Sequence, residues 1–288
     1  MGRLFAKISA GTVALSFVAG CSTAAEPEKS NGPVFSGTVA EGSTVDRIRK
    51  RGVLKIGGSQ DAPLLSQLDP VSGKLTGFDA ELGRLLAQYI IGSPKTELVT
   101  ATSETREPLL GNGTVDVILQ TYTITPARRE RVAFAGPYYQ SGQAIAVRKG
   151  ASGISKPSDL AGKTVIAGAN TPAIAAIKEA APTAKIVEFS SDPECVTALK
   201  QSRGDAYVQD QAILVADASK DSELQLVGEP FTVDPYGIGI KHGDEEFTKF
   251  VNDWLREIQK SGLWQEAWKK SIGTVVRGDA PAPPAITP

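Results

Sequence analysis

The residues of this chain that could do chemistry are few: one histidine, two cysteines, and a handful of arginines, aspartates and threonines at the ends of apolar runs. His242 lies in Lys241-His-Gly-Asp244, a polar turn after a Tyr-Gly-Ile segment, with no nucleophile or acid spaced to work with it. Proton transfer and covalent catalysis need such paired groups. The chain has no His/Cys metal spacing, nucleophile elbow or phosphate-cradling P-loop, so neither a metal nor a cofactor is expected. What remains suits reversible recognition. Arg128 closes Thr123-Ile-Thr-Pro-Ala-Arg128, and a planar guanidinium can give a carboxylate two parallel hydrogen bonds where a lysine cannot. Arg129 and Arg131 read as ordinary surface cations. Asp210 follows Ala206-Tyr-Val-Gln at a passage from strand to helix, where a carboxylate caps the helix or meets a cation. Thr171-Pro172 reads as a helix cap followed by proline at the first helical position, and a helix N-terminus favours an anion.

The two ends of the chain speak of its compartment. Arg3 and Lys7 are the only charges in residues 1–20, and residues 8–20 are a 13-residue apolar run. That is the pattern of a secretory signal, too short to span a bilayer. The run closes on Val18-Ala-Gly-Cys21, which resembles the bacterial lipobox, whose cysteine is acylated and becomes the first mature residue. Lipidation of Cys21 implies an extracytoplasmic protein anchored to the cell membrane, since several acyl chains hold where one is marginal. Cys195 then has no disulfide partner and is expected to pack as a small apolar residue. The mature chain is mildly acidic with scattered Lys and Arg, lacking the basic stripe that nucleic acid requires. Residues 21–43 and 274–288 are rich in small residues and proline and read as a disordered tether and a disordered tail.

Between these ends, β-branched runs alternate with helical patterns. Strands are expected over 53–57, 115–120, 144–147, 164–167, 185–188 and 206–208, and helices over 78–91, 171–180, 192–202, 210–216 and 245–261. Phe247, Phe250, Val251, Trp254, Leu255 and Ile258 form a helical stripe that reads as core, and Trp264 and Trp268 belong with it. Such alternation predicts an α/β architecture with parallel sheets.

Taken in order, Arg51-Gly-Val-Leu-Lys-Ile-Gly57, Leu75-Thr-Gly-Phe-Asp79, Gly113-Thr-Val-Asp116, Thr123 to Arg128, Phe134-Ala-Gly-Pro-Tyr-Tyr139, Asp159-Leu-Ala-Gly-Lys163, Gly204-Asp-Ala206 and Tyr236-Gly-Ile238 resemble the family 3 extracellular solute-binding proteins, amino-acid receptors of ABC importers. The resemblance implies a periplasmic-binding-protein-like α/β fold of two lobes around a ligand cleft. Lobe I would be 44–139 and 236–273, lobe II 144–231, and the hinge strands 140–143 and 232–235. It implies a monomer that delivers its ligand to membrane permease subunits, or feeds a membrane sensor instead. A few proteins of this fold are lyases, the enzymatic alternative.

By that resemblance Arg128 grips a ligand α-carboxylate, Thr123 adds hydroxyl and backbone contacts, Asp210 pairs with the α-ammonium, and Thr171 offers donors to the carboxylate. Ser103 and Arg106 match residues that address a side-chain carboxylate in glutamate/aspartate-binding members. Glutamate is therefore the first expectation, with glutamine, aspartate and asparagine behind it. Three positions depart from the pattern. Thr121 stands where many relatives have glycine, Ser59 where acidic-ligand members have a second cation, and Asp192 near a position where some have histidine. Fewer cations and an added anion favour an amide, which leaves glutamine and asparagine open. Some relatives pair the cysteine matching Cys195 with one on the strand before the Thr171 loop; here that strand is Val165-Ile-Ala167, and no such bridge is expected. Cys21→Ser is expected to release the protein from the membrane fraction with ligand affinity unchanged. Mutant protein retained on membranes after processing would end the lipoprotein reading.

Overall fold

The computed structural model describes residues 32–276 and 278–287; the signal segment and Cys21 lie outside the described residues. Short apolar runs become strands buried on both faces, and the amphipathic segments between them become the covering helices. One five-stranded sheet runs Thr96–Thr100, Leu54–Gly58, Val117–Ile118, Asp234–Lys241, Val132–Ser141. The other runs Lys185–Phe189, Thr164–Gly168, Ala206–Asp210, Gln143–Arg148, Leu224–Val227. A three-stranded flap, Asp61–Ala62, Ser66–Leu68 and Leu75–Thr76, sits beside the first sheet's cleft end. We call the body around each sheet a lobe.

The expectation of parallel sheets needs correction, because both sheets are mixed. Asp234–Lys241 is antiparallel to Val132–Ser141, and Gln143–Arg148 is antiparallel to its two neighbours. The reason is topological: the chain leaves the first lobe along 132–141 and returns along 234–241, so outgoing and returning strands lie side by side in opposite directions. The passages touch. Gln143 N–H donates to Thr232 Oγ1 at 2.7 Å and Phe231 N–H to the Gln143 carbonyl at 2.9 Å. A Cβ on Gly142 would fall 2.3 Å from the Thr232 carbonyl oxygen, so only glycine allows this approach.

The first lobe's core is aromatic. Helix Glu245–Lys260, capped by Asp244 accepting from Phe247 N–H at 3.1 Å, buries Phe247, Val251, Trp254, Leu255 and Ile258. Helix Leu263–Lys270 adds Trp264, whose indole donates to the Tyr138 carbonyl at 2.7 Å and meets the Phe78 ring edge-on. Phe78 opens helix Phe78–Ile91, whose inner face packs on the first sheet. In the second lobe Cys195 is a free, fully buried thiol, pushed up to about 12 chiefly by desolvation.

Both chain ends also depart from the expectation of disorder, as far as they are described. Phe35 donates its N–H to the Tyr89 carbonyl at 2.9 Å, accepts from Arg49 at 2.7 Å, and sets its ring against Tyr89 and Phe250. Near the C-terminus, Thr287 N–H donates to the Gly136 carbonyl at 3.0 Å, while Ala280 and Ile286 pack on the first lobe's core. One aromatic anchor is enough to dock a short segment, and a proline-rich segment loses little further entropy when it docks. Phe35→Ala is expected to cost about 1–2 kcal/mol in thermal or denaturant unfolding, below the roughly 3–5 kcal/mol of a fully buried Phe. An unchanged midpoint would mean the segment is free.

Candidate functional site

Strand ends and helix starts from both lobes converge on one cleft, the usual place for a small ligand in α/β proteins. Its cavity of about 140 Å³ is lined by Ser59, Ser103, Arg106, Gln120, Thr121, Thr123 and Arg128 from the first lobe, and by Thr171, Asp192, Gln209 and Asp210 from the second. The six residues given ligand contacts from the sequence, and the departing positions Ser59, Thr121 and Asp192, thus face one space. The volume is below the roughly 300–1,000 Å³ of drug-sized sites, which suits a molecule no larger than an amino acid.

Arg128 lies in the short helix Pro126–Arg129, whose cap Thr125 accepts from the Arg128 N–H. Its guanidinium is buried and donates to the Thr123 carbonyl at 2.7 Å and, across the cleft, to the Asn170 carbonyl at 3.0 Å. Burial lowers its pKa. Asn170 in turn donates to the Ser103 carbonyl at 2.7 Å, so two hydrogen bonds already join the lobes here. Thr123 is buried with its Oγ1 unpartnered.

Thr121 has φ +43°, the left-handed region glycine enters most easily. Asp79 holds it there: its carboxylate accepts from Thr121 N–H at 3.0 Å and from the Tyr138 hydroxyl at 2.9 Å. Burial raises the Asp79 carboxyl to about 6. Between Thr121 and Thr123 the Tyr122 ring lies beneath both cleft arginines, its centroid 3.8 Å from the Arg106 guanidinium carbon and 4.9 Å from that of Arg128. Arg106 donates to the Gln120 carbonyl at 3.3 Å and keeps a buried, unpartnered Nε. Desolvation, then the charge of Arg128, pushes it down to about 9, which leaves it a cation at neutral pH. The Gln120 side-chain amide donates to the Ala101 carbonyl and to Ser59 Oγ.

On the second lobe, the Thr171 hydroxyl donates back to the Gly168 carbonyl at 2.7 Å and does not cap helix Pro172–Ala180. The first backbone donors of that helix therefore have no side-chain acceptor at its cap. Asp210 likewise stands at the N-cap of helix Gln211–Lys220 without a side-chain capping bond; its Oδ1 accepts from Gln143 Nε2 at 3.2 Å. Burial and then the nearby Asp234 push Asp210 up to about 8. Arg129 and Arg131 lie outside the cleft, and Arg131 pairs with Glu107 at 2.6 Å. His242 is exposed and also outside it. Among the described residues no His/Cys/Asp/Glu group is arranged to hold a metal.

Sequence reasoning passed over Asp79, Tyr122, Gln120 and Asn170. Asp79 and Tyr122 stood inside or beside quoted motifs, yet the Asp79 partners lie 42 and 59 residues away in sequence. No local signal carries that information.

Residues 54–274 match the bacterial extracellular solute-binding proteins, family 3. The chain is 36% identical over 230 residues to the glutamine-binding protein of an ABC transporter from Bacillus subtilis (strain 168), covering 80% of this chain and 84% of that one. It is 31% identical over 288 residues to a glutamate-binding protein of Corynebacterium efficiens, covering 94% and 92%. The solved L-cysteine receptor of Neisseria gonorrhoeae superposes with a TM-score of 0.76 at 30% identity, covering 81% of this chain and 95% of that one. This protein therefore belongs to the family 3 extracellular solute-binding proteins and has their two-lobed periplasmic-binding-protein fold.

Proposed function

We infer that the protein is an extracytoplasmic receptor for an α-amino acid of the glutamate and glutamine class, held on the membrane through lipidated Cys21 and serving an ABC importer. One observation carries the reading. Arg128 and Asp210 face the same cavity from opposite lobes, both buried, and neither forms an ion pair among the described residues. A buried charge without a counter-charge is costly, and Asp210 accordingly keeps its proton in the empty cleft until a cation arrives. An α-amino acid supplies both missing charges on neighbouring atoms, its carboxylate toward Arg128 and its ammonium toward Asp210. Thr123 Oγ1 and the donors starting helix Pro172–Ala180 add neutral contacts to the carboxylate. Because the two charged partners belong to different lobes, ligand binding and cleft closure are one event, the change of surface that a membrane partner reads. The family relatives, glutamine- and glutamate-binding proteins of transporters, support the same reading. They support a receptor rather than an enzyme, and the cleft's neutral and charged groups are arranged for binding.

Arg128→Ala and Asp210→Ala are each expected to weaken every accepted amino acid by at least about tenfold to a hundredfold, since charge-assisted bonds contribute roughly 1.5–3 kcal/mol. The ligand-free protein should keep its circular dichroism. Wild-type affinity in either variant, measured by calorimetric titration, would refute that residue's role.

The Asp210 carboxyl gives a second test. In the empty cleft it titrates at about 8, and a bound ammonium favours its ionised form. The free-state value is therefore the higher of the two, binding releases a proton near neutral pH, and affinity falls as pH drops below about 8, approaching tenfold per unit. Titration in buffers of different ionisation heat should register that proton release, and Asp210→Asn should abolish it. Binding with no proton exchange between pH 6 and 8 would contradict the assignment.

A further inference from the structure

Beyond Arg128 and Asp210, a second set of polar side chains lines the same cavity: Arg106, Gln120 and Ser59 from the first lobe and Asp192 from the second. What these groups can offer is fixed by chemistry. Arg106 is a donor only. It is buried, has an unpartnered Nε, and forms no ion pair among the described residues.

Asp192 is fixed the other way, by a chain of hydrogen bonds whose direction starts at the backbone. The Asp210 N–H can only donate, and it donates to Gln209 Oε1 at 3.0 Å. That orients the Gln209 amide so that Nε2 donates to the Tyr207 oxygen at 2.9 Å. Tyr207 must then point its own proton at Asp192 Oδ1, 2.6 Å away. Behind Asp192 stands Asp217, whose buried carboxyl is pushed up to about 8 by burial and by Asp192 itself. Burial raises Asp192 as well, but Asp217 is raised further by the Asp192 charge, and the Tyr207 proton keeps Asp192 Oδ1 an acceptor. Asp61, exposed on the first lobe's flap, adds negative potential on the same side.

Ligand side chains can be sorted by these two fixed partners. A carboxylate satisfies Arg106 but sets acceptors against Asp192. An ammonium satisfies Asp192 but sets donors against Arg106. A carboxamide carries one acceptor and one donor group and meets both.

We propose that the cavity selects the carboxamide of its ligand, with Arg106 donating to the amide oxygen and Asp192 accepting from the amide nitrogen, so that glutamine is preferred to glutamate. Asp192 is then a specificity-determining residue, and Tyr207 positions it. The inference rests on the α-amino-acid receptor reading above.

Calorimetric titration with glutamine and glutamate tests it. The wild type is expected to bind glutamine at least about tenfold more tightly, the factor one hydrogen bond to a charged group supplies. Asp192→Asn replaces an acceptor oxygen with a donor NH2 and should bring the glutamine-to-glutamate ratio to one or below. Tyr207→Phe leaves Asp192 in place but removes the proton aimed at it, and should shift the ratio in the same direction by a smaller factor; it serves also if Asp192→Asn folds poorly. A wild type that prefers glutamate, or an unchanged ratio in a folded Asp192→Asn or Tyr207→Phe protein, overturns the proposal. A wild type that binds no α-amino acid overturns the receptor reading instead, and binding of both amino acids without preference overturns only this inference.

Discussion

Two arginines share one aromatic ring, and the arrangement of the cleft follows from that. Arg106 and Arg128 are both buried, neither forms an ion pair among the described residues, and the Tyr122 ring lies beneath both. Cation–ring attraction contributes on the order of 2 kcal/mol when desolvated, which offsets only part of the cost of burying two like charges. The ring is braced from behind: the Tyr122 hydroxyl donates to Glu107 at 2.7 Å, and Phe134 meets its edge at 4.8 Å. Gly239 leaves it room, because a Cβ there would stand 3.0 Å from the ring. The cleft is therefore built around a positive charge that the protein only partly compensates, the charge that the proposed ligand carboxylate would complete.

A second constraint runs through the backbone at Thr121. A threonine in the left-handed region is strained, and the buried carboxylate of Asp79 compensates by taking its N–H. The same carboxylate takes the Tyr138 hydroxyl, and the Tyr138 carbonyl takes the Trp264 indole. Cleft geometry and lobe core are thus tied by a single buried acid.

Much of the scaffold was legible because local physics decides it. The 3.6-residue stripe of residues 78–91 and 245–261 and the Thr171-Pro172 start each define an element without help from the rest of the chain. The ten-residue strand Val132–Ser141 was not foreseen as a strand, since it carries Gly136-Pro137 in its interior and follows a run of charges. Its partner is a strand some hundred residues on. Composition also misled at the ends, where Phe35 and Ile286 outweigh the small residues around them. In the cleft, the resemblance to the family implied that Arg106, Arg128 and Asp210 share one space. The direction of the hydrogen bonds from Asp210 to Asp192 could not be read, because it depends on which atoms meet across strand and helix.

The contact between the two passages gives the fold a modular character. Residues 143–231 form a body whose entry and exit touch at Gly142 and Thr232, so its two ends are already together. Segments with adjacent ends are those that can be lifted out, duplicated or replaced with little disturbance to the host. The wall carrying Asp192 and Asp210 is in that sense a cassette set into the body that carries Arg106 and Arg128. Recombination at these two points would exchange half of a recognition surface in one step and leave the other half in its frame.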